Sequence, residues 1–394
     1  MKLLTLVELF QKDSLLRDLL RYNEFTKDVE LTKKTPWGSD RFLTDEDTPL
    51  MKYYFSKIYN TEPSDKNLYD AVMVMAKQQS YHPIKNYLES LVWDGKSRAD
   101  FWLHRICGAT DNIYVRNVSS KILVGAIARI YQPGEKFDYM LILEGPQGIR
   151  KSTLVEILGG HWYLDTHLST GERKADMVDV MRTSWIIEIS DLAGFKFHDV
   201  QFLKSFLSRR VDRVRLAYGR RAEDFKRQSI FIGTHNPSGN NQYFNDDTDN
   251  RRFWPVECGK LLDIECLINN RDQLFAEALV RFKAGEKLYL DNSDALDILK
   301  GMNEDRQVDT PLNELIINYI KPLKDVTNID IIERCFNLNA KNMTGRELMS
   351  KQRTIGILMK KIGWKRGTNE NRGRYYRPEG QDVENPEQQV EWEQ

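Results

Sequence analysis

The sequence predicts an α/β fold: a mainly parallel sheet built around a phosphate-binding loop, preceded by a helical N-terminal section and followed by a small section of helices and strands. Three observations carry this expectation. Short apolar runs, Tyr139–Leu143, Trp185–Ile189, Val211–Leu216 and Ser229–Gly233, alternate with helical stretches, as strands joined by crossovers do. The first of these runs leads directly into a glycine-containing loop and a Lys-Ser-Thr helix start. Hydrophobic residues make up 41% of the 394 positions against 29% charged, enough apolar material for a large core and for two or three domains.

Lys and Arg number 58, as do Asp and Glu, so a uniformly basic nucleic-acid coat is excluded and any such surface must come from local clustering. The apolar runs fall far short of the roughly 18 residues a membrane span needs. Met1–Gln11 carries Lys2 and Glu8 and lacks a small-residue cleavage site, so it reads as a helix start, and the chain as cytoplasmic. Cys107, Cys258, Cys266 and Cys335 show no metal-ligand spacing and read as reduced thiols.

Taken in order, Leu3–Leu20 has leucines at helical spacing, and residues 45–60 and 65–79 predict two more helices, the second capped by Ser64 with Asp65 in its first turn. Pro83 and the Trp93-Asp94-Gly95 turn mark a boundary. Val115, Val118, Ile122, Ile127 and Ile130 predict a helix over 113–131. The chain is helical again from Val256 to about Gly285. The expected domains are a helical N-terminal domain at 1–95, a phosphate-loop domain at 96–288, a C-terminal domain at 289–378 and an acidic tail at 379–394.

The sharpest motif is MLILEGPQGIRKSTLVEILGG. A strand ends at Glu144, the loop Gly145-Pro146-Gln147-Gly148-Ile149-Arg150 follows, and Lys151, Ser152 and Thr153 open a helix. This is the strand–loop–helix context of a P-loop. Backbone N–H groups of such a loop and the positive helix end bind phosphate oxygens. Lys151 would reach the β- and γ-phosphates of ATP, and Ser152 would hold Mg²⁺. Glycine usually precedes the lysine, because the backbone there adopts an unusual conformation. Arg150 stands in its place, so the loop is a working but atypical one, a degenerate one with weak or no hydrolysis, or a chance match with no nucleotide site.

Downstream, the strand in SWIIEISDL ends at Glu188, with Asp191 close behind. One carboxylate would hold Mg²⁺ and the other polarise the attacking water; the sequence does not divide the roles, and Asp191 could equally cap a helix. The strand in SIFIGTHN ends in Asn236, a γ-phosphate sensor or simply a turn former before Pro237. Arg251 and Arg252 precede a further apolar strand, as an arginine finger acting across a subunit boundary or as a basic pair neutralised by nearby aspartates.

Between Lys204 and Arg227 lie nine basic residues against Asp212, Glu223 and Asp224. Val and Arg alternate over 211–216 and Tyr218-Gly219 signals a turn, which predicts a β-hairpin. Arg209, Arg210, Arg213, Arg215, Arg220 and Arg221 would meet a DNA backbone, with Tyr218 stacking on a base; a solvated edge or an intersubunit surface is the alternative. A second basic region, 341–377, holds eleven Lys or Arg and only Glu347 and Glu370. Its order of helix, strand, turn and strand suggests a winged-helix-like module for DNA.

Together the blocks YHPIKNYLESLVWDGKSR, LEGPQGIRKST, WIIEISDL, RRVDRVRLAYGRR and DNRRFWPV resemble the virulence-associated protein E family, P-loop ATPases of phages and pathogenicity islands similar to superfamily-3 helicases. The resemblance spans roughly residues 80–285. It implies an AAA+-like core, a homo-oligomer of hexameric ring form and a role in replicating a bacterial mobile element. It also implies that the loop residues Gly145, Gln147, Gly148, Arg150, Lys151, Ser152 and Thr153 hold ATP, and Ser152 and Glu188 the Mg²⁺. Asp191 would share the acidic role, Asn236 that of polar sensor, and Arg251 or Arg252 that of finger. Arg150 departs from the family's glycine. No primase signature occurs in the first ninety residues. The expected function is an ATP-dependent DNA helicase or translocase; the alternative is a nucleotide-gated DNA-binding protein that marks or melts an origin.

Overall fold

The structure, a computed structural model, describes residues 1–39, 42–166, 174–190, 197–215, 222–236, 250–259, 261–306, 311–367 and 374–377. Two compact units result: the larger takes in Met1–Ser238 and Asn250–Glu304, and the smaller starts again at Asp305.

The larger unit begins with α1 (Leu3–Lys12), which buries Leu6 and Phe10. The helix expected to run to Leu20 stops here. The Asp13 carboxylate accepts the Leu15 N–H at 2.8 Å and the hydroxyls of Tyr54 and Tyr59 at 2.7 and 2.6 Å, so the side chain competes for the backbone and turns it. Asp18, at φ +56, completes the turn into β1 (Leu20–Asn23), which pairs antiparallel with β2 (Asp28–Leu31). Helices α2 (Asp47–Tyr59) and α3 (Asp65–Gln78) follow as expected, and Ser64 Oγ accepts the Asn67 N–H. Then β3 (Ser80–Tyr81) joins β1 in parallel. The N-terminal section is therefore not purely helical: it carries a three-stranded sheet in the order β2-β1-β3. Four-residue strands are too short to show alternation against the leucine spacing around them.

Pro83 opens α4 (Pro83–Ser90), and α5 (Trp102–Cys107) and α6 (Ile113–Tyr131) follow, the last capped by Asn112 on the Val115 N–H at 2.8 Å. Helix α6 is buried on almost every side, including Arg129 at 1% exposure. A helix apolar all round belongs in a core.

The central sheet follows. Its elements are β4 (Met140–Glu144), α7 (Lys151–Gly159), β5 (Tyr163–Thr166), α8 (Lys174–Met181), β6 (Ile186–Ile189) and α9 (Phe197–Leu207). A hairpin of β7 (Val211–Val214) and β8 (Glu223–Lys226) comes next, then β9 (Ile230–His235) and β10 (Phe253–Glu257). The five strands lie in the order β10-β4-β9-β6-β5, all parallel. Every residue of β4, β6 and β9 is buried, which is why these strands are mostly apolar along their whole length, with few polar positions such as Glu188 and Thr234. From β4 the chain crosses to the far edge at β5, returns through β6 to β9, and finishes on the other side of β4. The carboxyl ends of β4 and β9 thus flank a switch point, where open α/β sheets bind ligands. Helix α10 (Ile264–Lys283) packs Phe275 on Trp185, ring centres 4.8 Å apart, and α11 (Ser293–Asp305) adds Ala295 and Leu299 to the same core.

The smaller unit runs α12 (Pro311–Ile320), β11 (Asp325–Thr327), α13 (Asn328–Asp330) continued by a π turn, α14 (Gly345–Lys361), β12 (Lys365–Arg366) and β13 (Arg374–Tyr376). Its antiparallel sheet has the order β11-β13-β12, and its core holds Ile316, Ile332, Met359, Trp364 and Tyr375. Among the described residues no helix is long and apolar enough to cross a membrane.

Candidate nucleotide-binding site

The loop after β4 is shaped by its glycines. A Cβ on Gly145 would stand 2.7 Å from Ile149 Cδ1, and Gly148 lies at φ +84. Arg150 lies at φ +73 and ψ +34, the left-handed conformation for which glycine is expected, and precedes α7 with its side chain exposed. A non-glycine residue there carries roughly 1–2 kcal/mol of strain. Gln147 and Thr153 are exposed along the loop and the first helical turn.

Lys151 is 6% exposed and fully bonded. Its Nζ donates to Gly145 O at 2.7 Å, Pro146 O at 2.9 Å and Asn236 Oδ1 at 2.7 Å, using all three ammonium donors. Burial lowers its pKa, while Cys258 and Glu188 nearby oppose the shift. Asn236, just after β9, is thus brought to the lysine that opens α7.

Glu188, wholly buried in β6, is the second centre. Its Oε1 accepts from Ser152 Oγ and Thr234 Oγ1, both at 2.7 Å, and its Oε2 accepts from the Tyr163 hydroxyl at 2.6 Å. Three hydroxyl donors make a buried carboxylate tolerable. Burial, with the bond to Glu188, pushes the Tyr163 phenol well above its ordinary pKa. Thr234 and Tyr163 are not legible as site residues in the sequence. Thr234 had a faint signal, a polar residue two positions before Asn236 in a buried strand; Tyr163 had none, because β5 itself shows no clear pattern.

The ligand types fit a nucleotide with Mg²⁺. Ser152 and Glu188 offer hard oxygen atoms in contact with each other, beside a lysine and a helix start. Among the described residues no group of three or more His, Cys, Asp or Glu forms a protein-only metal cage, and Mg²⁺ is usually held by one or two protein groups together with phosphates and water.

Other predicted residues lie elsewhere. Arg252 Nε donates to Asp138 Oδ2 at 3.1 Å, just before β4 starts, and Arg251 beside it is exposed. Both arginines precede β10, which is parallel to β4, so they sit at the amino edge of the sheet. Five strand residues, about 16 Å, separate that edge from the loop, and the fold does not bring them to this chain's own Lys151. Asp191 lies outside the described residues.

The hairpin forms with Val211 opposite Lys226 and Val214 opposite Glu223. Its basic face is less uniform than the sequence suggests. Arg213 pairs with Asp224 at 3.8 Å, Arg209 with Asp212 at 3.8 Å, and Arg210 Nε donates to Gly134 O at 2.6 Å. Arg215 is exposed. Lys204 and Arg227 are buried, and Arg227 Nε donates to Asp212 Oδ2 at 2.7 Å. Arg227 supports the hairpin root, and neither buried cation belongs to an exposed basic face. Tyr218, Arg220 and Arg221 lie outside the described residues.

Residues 88–308 match the family described as Virulence-associated protein E-like domain. No curated protein matches the chain. Among solved structures, the apo C-terminal region of NrS-1 is 13% identical with a TM-score of 0.44, covering 90% of this chain and 85% of that one. An A form of the same region is 12% identical with a TM-score of 0.45, covering 95% and 99%. The JCV helicase is 13% identical with a TM-score of 0.26, covering 51% and 60%.

Proposed function

Because the chain belongs to the Virulence-associated protein E-like family, we propose that it is an ATP-driven DNA helicase or translocase serving the replication of a mobile element. One observation carries the reading: Lys151, Ser152, Glu188 and Asn236 converge through 2.7 Å bonds at the carboxyl ends of β4, β6 and β9. Loop N–H groups and the α7 start would take the phosphates. Lys151 would exchange its loop carbonyls for phosphate oxygens, and Asn236 would then orient water. Ser152 and Glu188 are the groups that would hold Mg²⁺, whose charge offsets that of the β- and γ-oxygens. Asp191 remains the second carboxylate of the proposal.

Arg251 and Arg252, remote from their own loop, suit a finger offered to a neighbouring subunit, so the active unit is an oligomer, a hexameric ring in this reading. Arg215 on the hairpin, together with Tyr218, Arg220 and Arg221, would contact single-stranded DNA. The helix–strand–helix–helix–strand–strand order of the smaller unit supports a winged-helix-like DNA contact.

The second reading, a nucleotide-gated DNA-binding protein, is favoured by the strained Arg150. ATP hydrolysis with and without single-stranded DNA, at low and moderate salt, separates the two. The motor reading expects stimulation by DNA that fades as salt rises. Nucleotide binding without turnover would favour the gate.

A further inference from the structure

The loop between α6 and β4, residues 132–138, is tied to functional candidates at both ends. Gly134 is bonded twice to the root of the hairpin: its N–H donates to Arg227 O at 2.8 Å, and its carbonyl accepts Arg210 Nε at 2.6 Å. The fit there is close. Gly134 lies at φ +84, and a Cβ would stand 3.3 Å from Arg210 O. At the other end Asp138 accepts Arg252 Nε at 3.1 Å, and the Met140 N–H donates to Arg252 O at 2.8 Å.

Between these ends Arg129 reaches in from α6. Its Nη2 donates to Phe137 O at 2.7 Å, while Nε and Nη1 have no hydrogen-bond partner among the described residues. Burial, and then the charge of Arg227, push its pKa down to about 10; Asp138 and Glu135 oppose the shift. A buried, half-bonded guanidinium is poor for stability, since an apolar side chain of similar volume is often neutral or better in its place. Its spare donors have a use if the loop has a second arrangement, because they can bond carbonyl or carboxylate groups that move past them.

We propose that residues 132–138 form a strut that transmits displacement of the hairpin to Arg252 and its neighbour Arg251, with Arg129 as the positioning residue. The inference rests on the motor reading above. Coupling of this kind requires an element that both sites bias, and this loop is bonded to both.

The test is Arg129→Met in the full chain, measured as the ratio of DNA-stimulated to basal hydrolysis. The expected result is a fall of about fivefold in that ratio, with DNA affinity and the KM for ATP within about twofold of wild type. Arg129→Lys, which keeps a donor for Phe137 O, is expected to restore part of the ratio; a purely structural role would not show that split. Should Arg129→Met melt below wild type, Gly134→Ala carries the test. Its Cβ would stand 3.3 Å from Arg210 O at a backbone φ of +84, disturbing the joint to the hairpin without replacing a DNA-contact residue, and it is expected to lower stimulation at saturating DNA. An unchanged ratio in both variants overturns the strut while leaving the motor reading intact. A wild-type protein that DNA does not stimulate overturns the motor reading, and the strut with it.

Discussion

Lys151 and Arg129 are both buried cations of the larger unit, serving opposite edges of one parallel sheet, and their surroundings differ. At the carboxyl edge Lys151 has three acceptors and Glu188 has three hydroxyl donors. At the amino edge Arg129 has one carbonyl, and two of its nitrogens have no partner among the described residues. Saturated groups hold their geometry, which is what the proposed phosphate site requires. Groups with spare donors can change partner, which suits a joint. The Asp138–Arg252 pair stands at that less saturated edge.

The largest effect that could break this comparison is expected at the arginine pair. If Arg251 or Arg252 acts across a subunit boundary, its change to Ala should lower turnover by roughly 10³-fold or more, with only a small change in nucleotide affinity. Mixing such subunits with Lys151→Ala subunits should recover turnover, since each supplies what the other lacks. Mixtures no more active than their parts would remove the cross-subunit role.

A smaller effect tests the saturated edge. Tyr163→Phe leaves Glu188 Oε2 without its phenol donor in a fully buried position. The expected loss is about 1–3 kcal/mol of stability, seen as a lower denaturant midpoint at unchanged slope. An unchanged midpoint would mean that Glu188 does not depend on this donor.

The smallest effect concerns Arg150. Arg150→Gly relieves about 1–2 kcal/mol of left-handed strain, offset by roughly 0.5–1 kcal/mol of added chain entropy, so stability should rise only slightly. Turnover is the informative readout. An unchanged rate would show a loop that works with arginine; a sharp rise would identify arginine as the restraint that makes the protein a switch.

Several features were legible because their causes are local. Ser64 caps the helix that follows it, and the left-handed backbone at Arg150 follows from the strand–loop–helix spacing. Val–Arg alternation predicts the hairpin's first strand but not its faces, since Val211 is exposed and Asp212 buried, nor its register against Glu223 and Asp224. The leucine spacing of Leu3–Leu20 misled, because Asp13 and its two tyrosine partners end the helix from 41 and 46 residues away.

The sequence by itself determined the parallel α/β class, the glycine-containing loop between a strand and a helix, and Lys151, Ser152, Glu188 and Asn236 as candidates, because apolar runs and turn residues act over a few positions. Only the tertiary structure decided that Tyr163 and Thr234 close on Glu188, 25 and 46 residues away, and that Arg252 closes on Asp138, 114 residues away. It likewise decided that Arg227 is a buried root of the hairpin. The reason is physical. The order β10-β4-β9-β6-β5 follows from burying whole strands against one another, and that packing sets which distant side chains share an edge.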